Sequence, residues 1–273
     1  VRLNLQVMAL ICQKGDRFQL LMNTLIKEFR EDLELLEKRG SLIIRLLAVH
    51  LHAEKIFRAL APILEKETDV EYASLMVQTL NFILLTSREL FEVRQNLRNL
   101  KKPENVELFV ILYRSWCHNP SATLALCLLA CMYEPGTLLI NQFAELEITV
   151  GFLVEIDKLV QLLESPIFAS LRLQLLEPGK YPHLYKCLYG LLMLLPQSGA
   201  FETLRNRLSC APNPSLLPPH SQDNKNNIVE IDFEPLLHHF VEIQERHVLA
   251  RQAARAASFV ALRPTVGETK SKK

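Results

Sequence analysis

Glycine is scarce in this chain, with only eight among 273 residues, and runs of β-branched residues are few. Sheets need turn glycines and pleat-filling Val, Ile and Thr, so this shortage leaves no strand signal and points to an all-α protein. Charge of either sign is also not in excess. Thirty-one basic residues stand against 30 acidic ones, a net of +1, so no whole-chain field draws in nucleic acid or an anionic membrane, and any such contact must be local. No glycine-rich phosphate loop, nucleophile elbow or metalloprotease histidine pair occurs. The six cysteines form no CxxC pair, follow no secretory signal and sit mostly in apolar helical runs, so they read as reduced core thiols. Cys127 and Cys131 are one helical turn apart, but no second Cys or His pair has the spacing to complete a metal site.

What is present is leucine-rich helix, with 49% hydrophobic residues to build a core as one large domain or as stacked units. The stretch from Asn141 to Gln197 is the centre of the pattern. Between Thr149 and Ser165 the residues Gly151, Glu155, Lys158 and Ser165 fall on one narrow polar stripe, which predicts a helix covered on most sides. Ser165 is placed as N-cap with Pro166 at the first helical position. Pro182 and Pro196 bracket HLYKCLYGLLMLL, which is apolar nearly all round yet shorter than the roughly 20 residues a bilayer needs, so it reads as a core helix packed between two neighbours.

Upstream, Leu3 to Cys12 and Phe18 to Phe29 predict a helical hairpin broken at Gly15 and Asp16. Glu31 to Arg39 predicts a helix stopped by Gly40, and Ser41 starts the next. Ala53 to Glu67 follows, with Pro62 as an expected kink. Thr68 with Glu71, and Thr86 with Glu89, have capping-box spacing and predict short joints. From Ser41 to Ser87 and from Pro120 to Pro166 is 46 residues, the length of a two-helix HEAT or armadillo unit. The expected fold is therefore an α-solenoid of stacked antiparallel hairpins over residues 1–210. A flexible Pro-, Asn- and Ser-rich connector is expected at 211–231, a C-terminal helix at 232–263 and a basic tail at 264–273. Val1 stands in a helical pattern without a preceding Met, and a longer protein is expected to surround this segment.

Three clusters are candidates for function. Arg88, Arg94, Arg98, Lys101 and Lys102 form a basic group suited to an acidic partner or a lipid headgroup, or to a solvated face near a helix C-terminus. His238 and Glu242 share a helical face near His239 and His247, but nothing is spaced to give a third metal ligand, and His50 and His52 lie on opposite sides of their helix. Neither a metal nor a cofactor is implied. Leu236, Phe240, Ile243, His247, Ala250, Ala254, Ala257 and Ala261 recur at steps of four and three, the seam of a helix lying along another, either in a second copy or back on its own solenoid as a cap.

The strings RSWCHNPSATLALCLLA, FAELEITVGFLVEIDKLVQLLESPIF, LRLQLLEP and KYPHLYKCLYGLLMLLPQSGAFETLRNRL closely resemble the C-terminal region of the Vac-type vacuole-morphology scaffolds, HEAT-repeat proteins of the PIKfyve (Fab-type) lipid kinase complex. The likeness runs from about Leu36 to Leu217. It implies a non-enzymatic scaffold that holds a phosphatidylinositol 3-phosphate 5-kinase and a Sac-domain phosphoinositide phosphatase together. The resemblance places it in the cytoplasm, peripheral and indirectly bound on endosomal and vacuolar or lysosomal membranes. It further implies self-assembly into a multimer, taken to be a pentamer, and the subunit contact is expected at residues 233–257 with the adjoining hairpin, through Tyr181, Leu184, Tyr185, Leu236, Phe240, Ile243 and His247. A solenoid cargo or coat adaptor is the alternative, but the repeated row of exposed Asn, Trp or acidic residues it needs is missing.

Overall fold

The computed structural model describes residues 2–12, 15–212 and 231–261, and all its regular elements are helical. The chain opens on α1 (Arg2–Ile11) and α2 (Gly15–Glu31). Asp32 then caps α3 (Leu33–Leu35) by accepting from the Leu35 N–H at 2.8 Å, and α3 continues through a π-turn (Leu36–Gly40) into α4 (Ser41–Leu51). Gly40 is thus not the stop expected from the sequence. Its φ of −54° is helical, and a Cβ there would lie 2.8 Å from Leu36 Cδ1, so the position uses small size and not turn-forming freedom.

Then follow α5 (Ala53–Glu65), which runs on through Pro62, α6 (Val70–Thr86), α7 (Phe91–Arg98), α8 (Pro103–Trp116) and α9 (Pro120–Leu129). After these come α10 (Tyr133–Phe143), α11 (Val150–Leu163), α12 (Ala169–Gln174), α13 (Pro182–Leu194), α14 (Gly199–Ser209) and α15 (Glu234–Ala261). Most of the connector expected at 211–231 and all of the tail at 264–273 lie outside the described residues.

The helices stack in two rows. One row runs α2, α5, α8, α15, α10, α13, and the other α1, α4, α6, α9, α11, α14, each helix packing on the next. This is the expected solenoid-like stack, but its unit differs from the 46-residue hairpin. Two units begin with a short helix, as α7–α8–α9 and α12–α13–α14, while α5–α6 follows the longer α4 and α10–α11 lacks that first helix. Corresponding starts are 50 residues apart from Ala53 to Pro103 and from Val70 to Pro120, and 49 apart from Tyr133 to Pro182 and from Val150 to Gly199. The 46-residue steps from Ser41 to Ser87 and from Pro120 to Pro166 each join unlike positions, a full helix with a short turn.

Two local devices repeat with the unit. The second-row helices α6, α9, α11 and α14 are N-capped by Asp69, Asn119, Thr149 and Ser198, whose side-chain oxygens accept from Tyr72, Ala122, Phe152 and Phe201 N–H groups at 3.0, 2.9, 3.2 and 3.3 Å. The expected box at Thr68 is therefore displaced by one residue to Asp69. Thr86 lies within α6, where its hydroxyl donates to Phe82 O at 2.6 Å, so it caps nothing. The second device is an arginine in the short helix. Arg94 donates to Leu84 O and Ser87 O, both at 2.7 Å, and Arg172 donates to Leu163 O and to Ser165 O. These arginines satisfy carbonyls left open where the preceding helix ends. At that second joint Ser165 makes no side-chain cap, because Pro166–Phe168 forms a 3-10 turn ahead of α12.

Candidate protein-interaction site

The five basic residues expected to act together are divided by the repeat. Arg94 is buried by its carbonyl-capping role, and Arg98 reaches across to donate to Ile167 O between two units. Only Arg88, Lys101 and Lys102 are exposed, so the cluster reduces to three solvated cations. Sequence spacing alone places all five in one short stretch and cannot tell a structural guanidinium from a free one.

The seam on α15 faces its own chain. Leu236, Phe240 and Ile243 are fully or almost fully buried as α15 packs between α8 and α10 and over α6, with the Phe240 ring 6.2 Å from Phe143 and Phe233 6.4 Å from Phe109. Polar contacts fix its register: Gln244 donates to Cys117 O at 2.6 Å, Arg246 to Glu67 O at 3.0 Å, and His247 meets His118 at 3.2 Å between ring nitrogens. The expected contact between copies through these residues is corrected, because the side chains that would form it are in this core. Nor is α15 an end cap, since it fills a place inside the row. From Gln252 to Ala257 the side chains are exposed, and Leu249 is 64% exposed.

Of the other residues assigned to self-assembly, Leu184 is buried, while Tyr181 and Tyr185 are half-buried on or beside α13. Tyr181 meets Tyr133 edge-on at 6.3 Å. The helix α13 is not held between two neighbours of its own row. Its Cys187, Gly190 and His183 side faces α10, where a Cβ on Gly190 would lie 2.8 Å from Ile140 Cγ2 and Thr137 donates to His183 O at 3.2 Å. Its opposite side carries Tyr185, Tyr189 and Met193. The helix α11 also differs from expectation: Val150 and Val154 are exposed, while Glu155 on its polar stripe turns inward to accept from Gln78 and Asn119, both at 2.9 Å.

The titratable groups are engaged in packing. Burial pushes the Cys117 and Cys127 thiols well up and Cys187 to about 12, which keeps them protonated and poor nucleophiles at neutral pH. Cys131 turns the chain between α9 and α10 with φ 59°, so it does not share a helical face with Cys127. His118 and His247 are lowered to about 4, chiefly by burial. Burial likewise raises Glu155 above the usual carboxylate range, against the opposing hydrogen bond from Asn119. These three line a cavity of about 340 Å³ between α6, α9, α11 and α15, together with Gln78 and Gln244. His238 is exposed and His239 contacts Arg114 O at 3.2 Å, so the histidines of α15 diverge. Among the described residues no group of three or more His, Cys, Asp or Glu is placed to hold a metal ion, and no helix is long and apolar enough to cross a membrane. The exposed faces of the helices are surface available to partners.

Comparison with known proteins identifies what kind of surface. A family model described as the vacuolar protein 14 C-terminal Fig4p-binding region matches residues 33–211, that is, α3 to α14 without α15. The chain is 52% identical to the VAC14 homolog of Arabidopsis thaliana over 78% of its length, and 48% identical to that of Schizosaccharomyces pombe over 71%. It is 38% identical over 69% to the vacuole morphology and inheritance protein 14 of Saccharomyces cerevisiae. The chain spans only 29%, 24% and 21% of the length of these relatives. No solved structure matches it. With the matched range running through four successive units of the stack and relatives this similar, the chain belongs to the vacuolar protein 14 family, to which it corresponds in the C-terminal, Fig4p-binding part.

Proposed function

We propose that this chain is a non-catalytic scaffold segment whose helical stack binds a Sac-type phosphoinositide phosphatase. The observation that carries the reading is the coincidence of the Fig4p-binding match at 33–211 with a continuous two-row stack whose buried histidines, thiols and carboxylate are tied into packing. A stack of this kind presents long faces to a large partner. By the same family reading, the scaffold keeps the phosphatase beside a phosphatidylinositol 3-phosphate 5-kinase, so that phosphatidylinositol 3,5-bisphosphate is made and removed at one place on endosomal and vacuolar membranes. Attachment to the membrane is indirect, and Arg88, Lys101 and Lys102 are the exposed cations available to an acidic partner.

Self-assembly belongs to the same proposal. The part of α15 left for a second copy is its exposed end, from Leu249 through Ala253 and Ala256. Alanines there permit close approach but bury little area at roughly 25 cal/mol per Å², so this contact needs the rest of the protein to be stable. The test is to mix the chain with purified phosphatase and kinase, measure the mass of what sediments, and assay the chain alone on phosphoinositides. Complex formation without turnover by the chain is expected; turnover abolished by a point change in this chain would overturn the scaffold reading.

A further inference from the structure

Among the described residues, no helix of the row α2, α5, α8, α15, α10, α13 packs on the side of α13 turned away from α10, and that side is partly apolar. Here Tyr185, Tyr189 and Met193 recur at steps of four on the side turned away from α10, with Tyr189 47% and Met193 61% exposed. The rings of Tyr185 and Tyr189 lie parallel, 12° apart in plane and 6.1 Å between centroids. Single exposed apolar residues are ordinary, but an aligned pair of tyrosines with a methionine one turn on is the composition of a protein contact. Helix α15 does not cover this side of α13. It lies inside the row between α8 and α10, tied there by Phe240, Gln244 and His247.

We propose that this outer face of α13, Tyr185–Tyr189–Met193 with Lys186 at its edge, is the docking surface for the phosphatase. The proposal rests on the function given above and adds the place of contact. Two observations choose this occupant over a second copy. The face lies within residues 33–211, the part matched as Fig4p-binding, whereas α15, whose exposed end is proposed above for contact with another copy, lies beyond it. In addition, α13 carries no Asp or Glu and one exposed lysine, so it suits a partner segment that is apolar at its centre and acidic at its rim. Central aromatic residues in such contacts carry most of the binding energy.

The experiment compares the parent chain with Y189E/M193E, and with Y189F/M193L as the conservative control, in titrations against purified Fig4-type phosphatase. Melting and sedimentation of each chain alone accompany the titrations. The glutamate variant is expected to lose at least tenfold in affinity while its melting temperature and its own mass stay those of the parent, and the control is expected to bind as the parent does. Parent-like affinity of the glutamate variant overturns the placement. If that retained affinity comes with a lower mass, a second copy sits on this face; if it comes with a lower melting temperature, the chain's own residues do. A parent chain that does not bind the phosphatase defeats the functional reading and this face with it. Should the glutamate variant misfold, hydrogen exchange of the parent complex decides: protection gained over Tyr185–Met193 supports the proposal, and none there overturns it.

Discussion

His118 and His247 bring two imidazole nitrogens within 3.2 Å, with Arg246 and Arg251 close by and little water. Burial lowers both from 6.5 to about 4, so they are neutral at pH 7, whereas the unfolded chain binds protons as the pH falls through 6.5. Their contribution to stability is therefore complete above about pH 6.5 and is lost as the pH falls toward 4. Both imidazoles take up protons in the unfolded chain and neither does so appreciably in the fold at pH 5, so the pair contributes about 3–4 kcal/mol to the difference in stability between pH 7 and pH 5. A melting curve at each pH should show that drop, and a variant with Gln at both positions should lack it. A second expectation concerns the arginines that close each joint. Arg94→Met leaves the carbonyls of Leu84 and Ser87 without their donor and should cost about 1–3 kcal/mol, whereas Arg88→Met in the exposed position should stay within about 0.5 kcal/mol. Denaturant unfolding of the two variants checks this. At this scale the sequence was partly legible. The cap ahead of α6 was expected within one residue of its place, but Asp69 in place of Thr68 is selected by Glu67, whose buried carboxylate takes the Thr68 and Asp69 N–H groups at 2.9 and 3.1 Å.

Among the elements, α15 departs furthest from what its sequence suggests. The steps of four and three through Leu236, Phe240 and Ile243 correctly mark a helix with a buried face, but periodicity carries no information about which surface the face meets. That surface exists only because α10–α11 lacks a short first helix and α8 and α10 leave room between them, which is a property of the stack. Phe240→Ala should cost about 3–5 kcal/mol in denaturant unfolding, as expected for a fully buried ring; a cost under 1 kcal/mol would mean that α15 is not part of the core. The contact of α10 with α13 depends on glycine. A Cβ on Gly190 meets Ile140 at 2.8 Å and one on Gly136 meets Cys187 Sγ at 3.2 Å, so Gly190→Ala should destabilise by about 1–3 kcal/mol even though alanine favours helix. The sequence showed α13 as apolar nearly all round. It did not show that Tyr189 and Met193 are exposed, because that depends on where α15 goes.

For the molecule as a whole, helix content and stacking were legible because scarce glycine, abundant leucine and repeated capping residues all agree. The unit length was not, since one unit lacks its short helix and the inserted α15 comes from the far end of the chain. The resemblance carried by Arg114–Ala130 and Phe143–Phe168 accords with the family match over 33–211, and these strings form α9, α11 and the joints beside them. The central claim is that this stack is a binding surface for a phosphoinositide phosphatase. Calorimetric titration of the purified chain with that phosphatase at several temperatures tests it most directly. Saturable binding with a negative heat-capacity change is expected, because apolar surface such as Tyr189 and Met193 is removed from water. A titration with no saturable binding at any temperature would contradict the account.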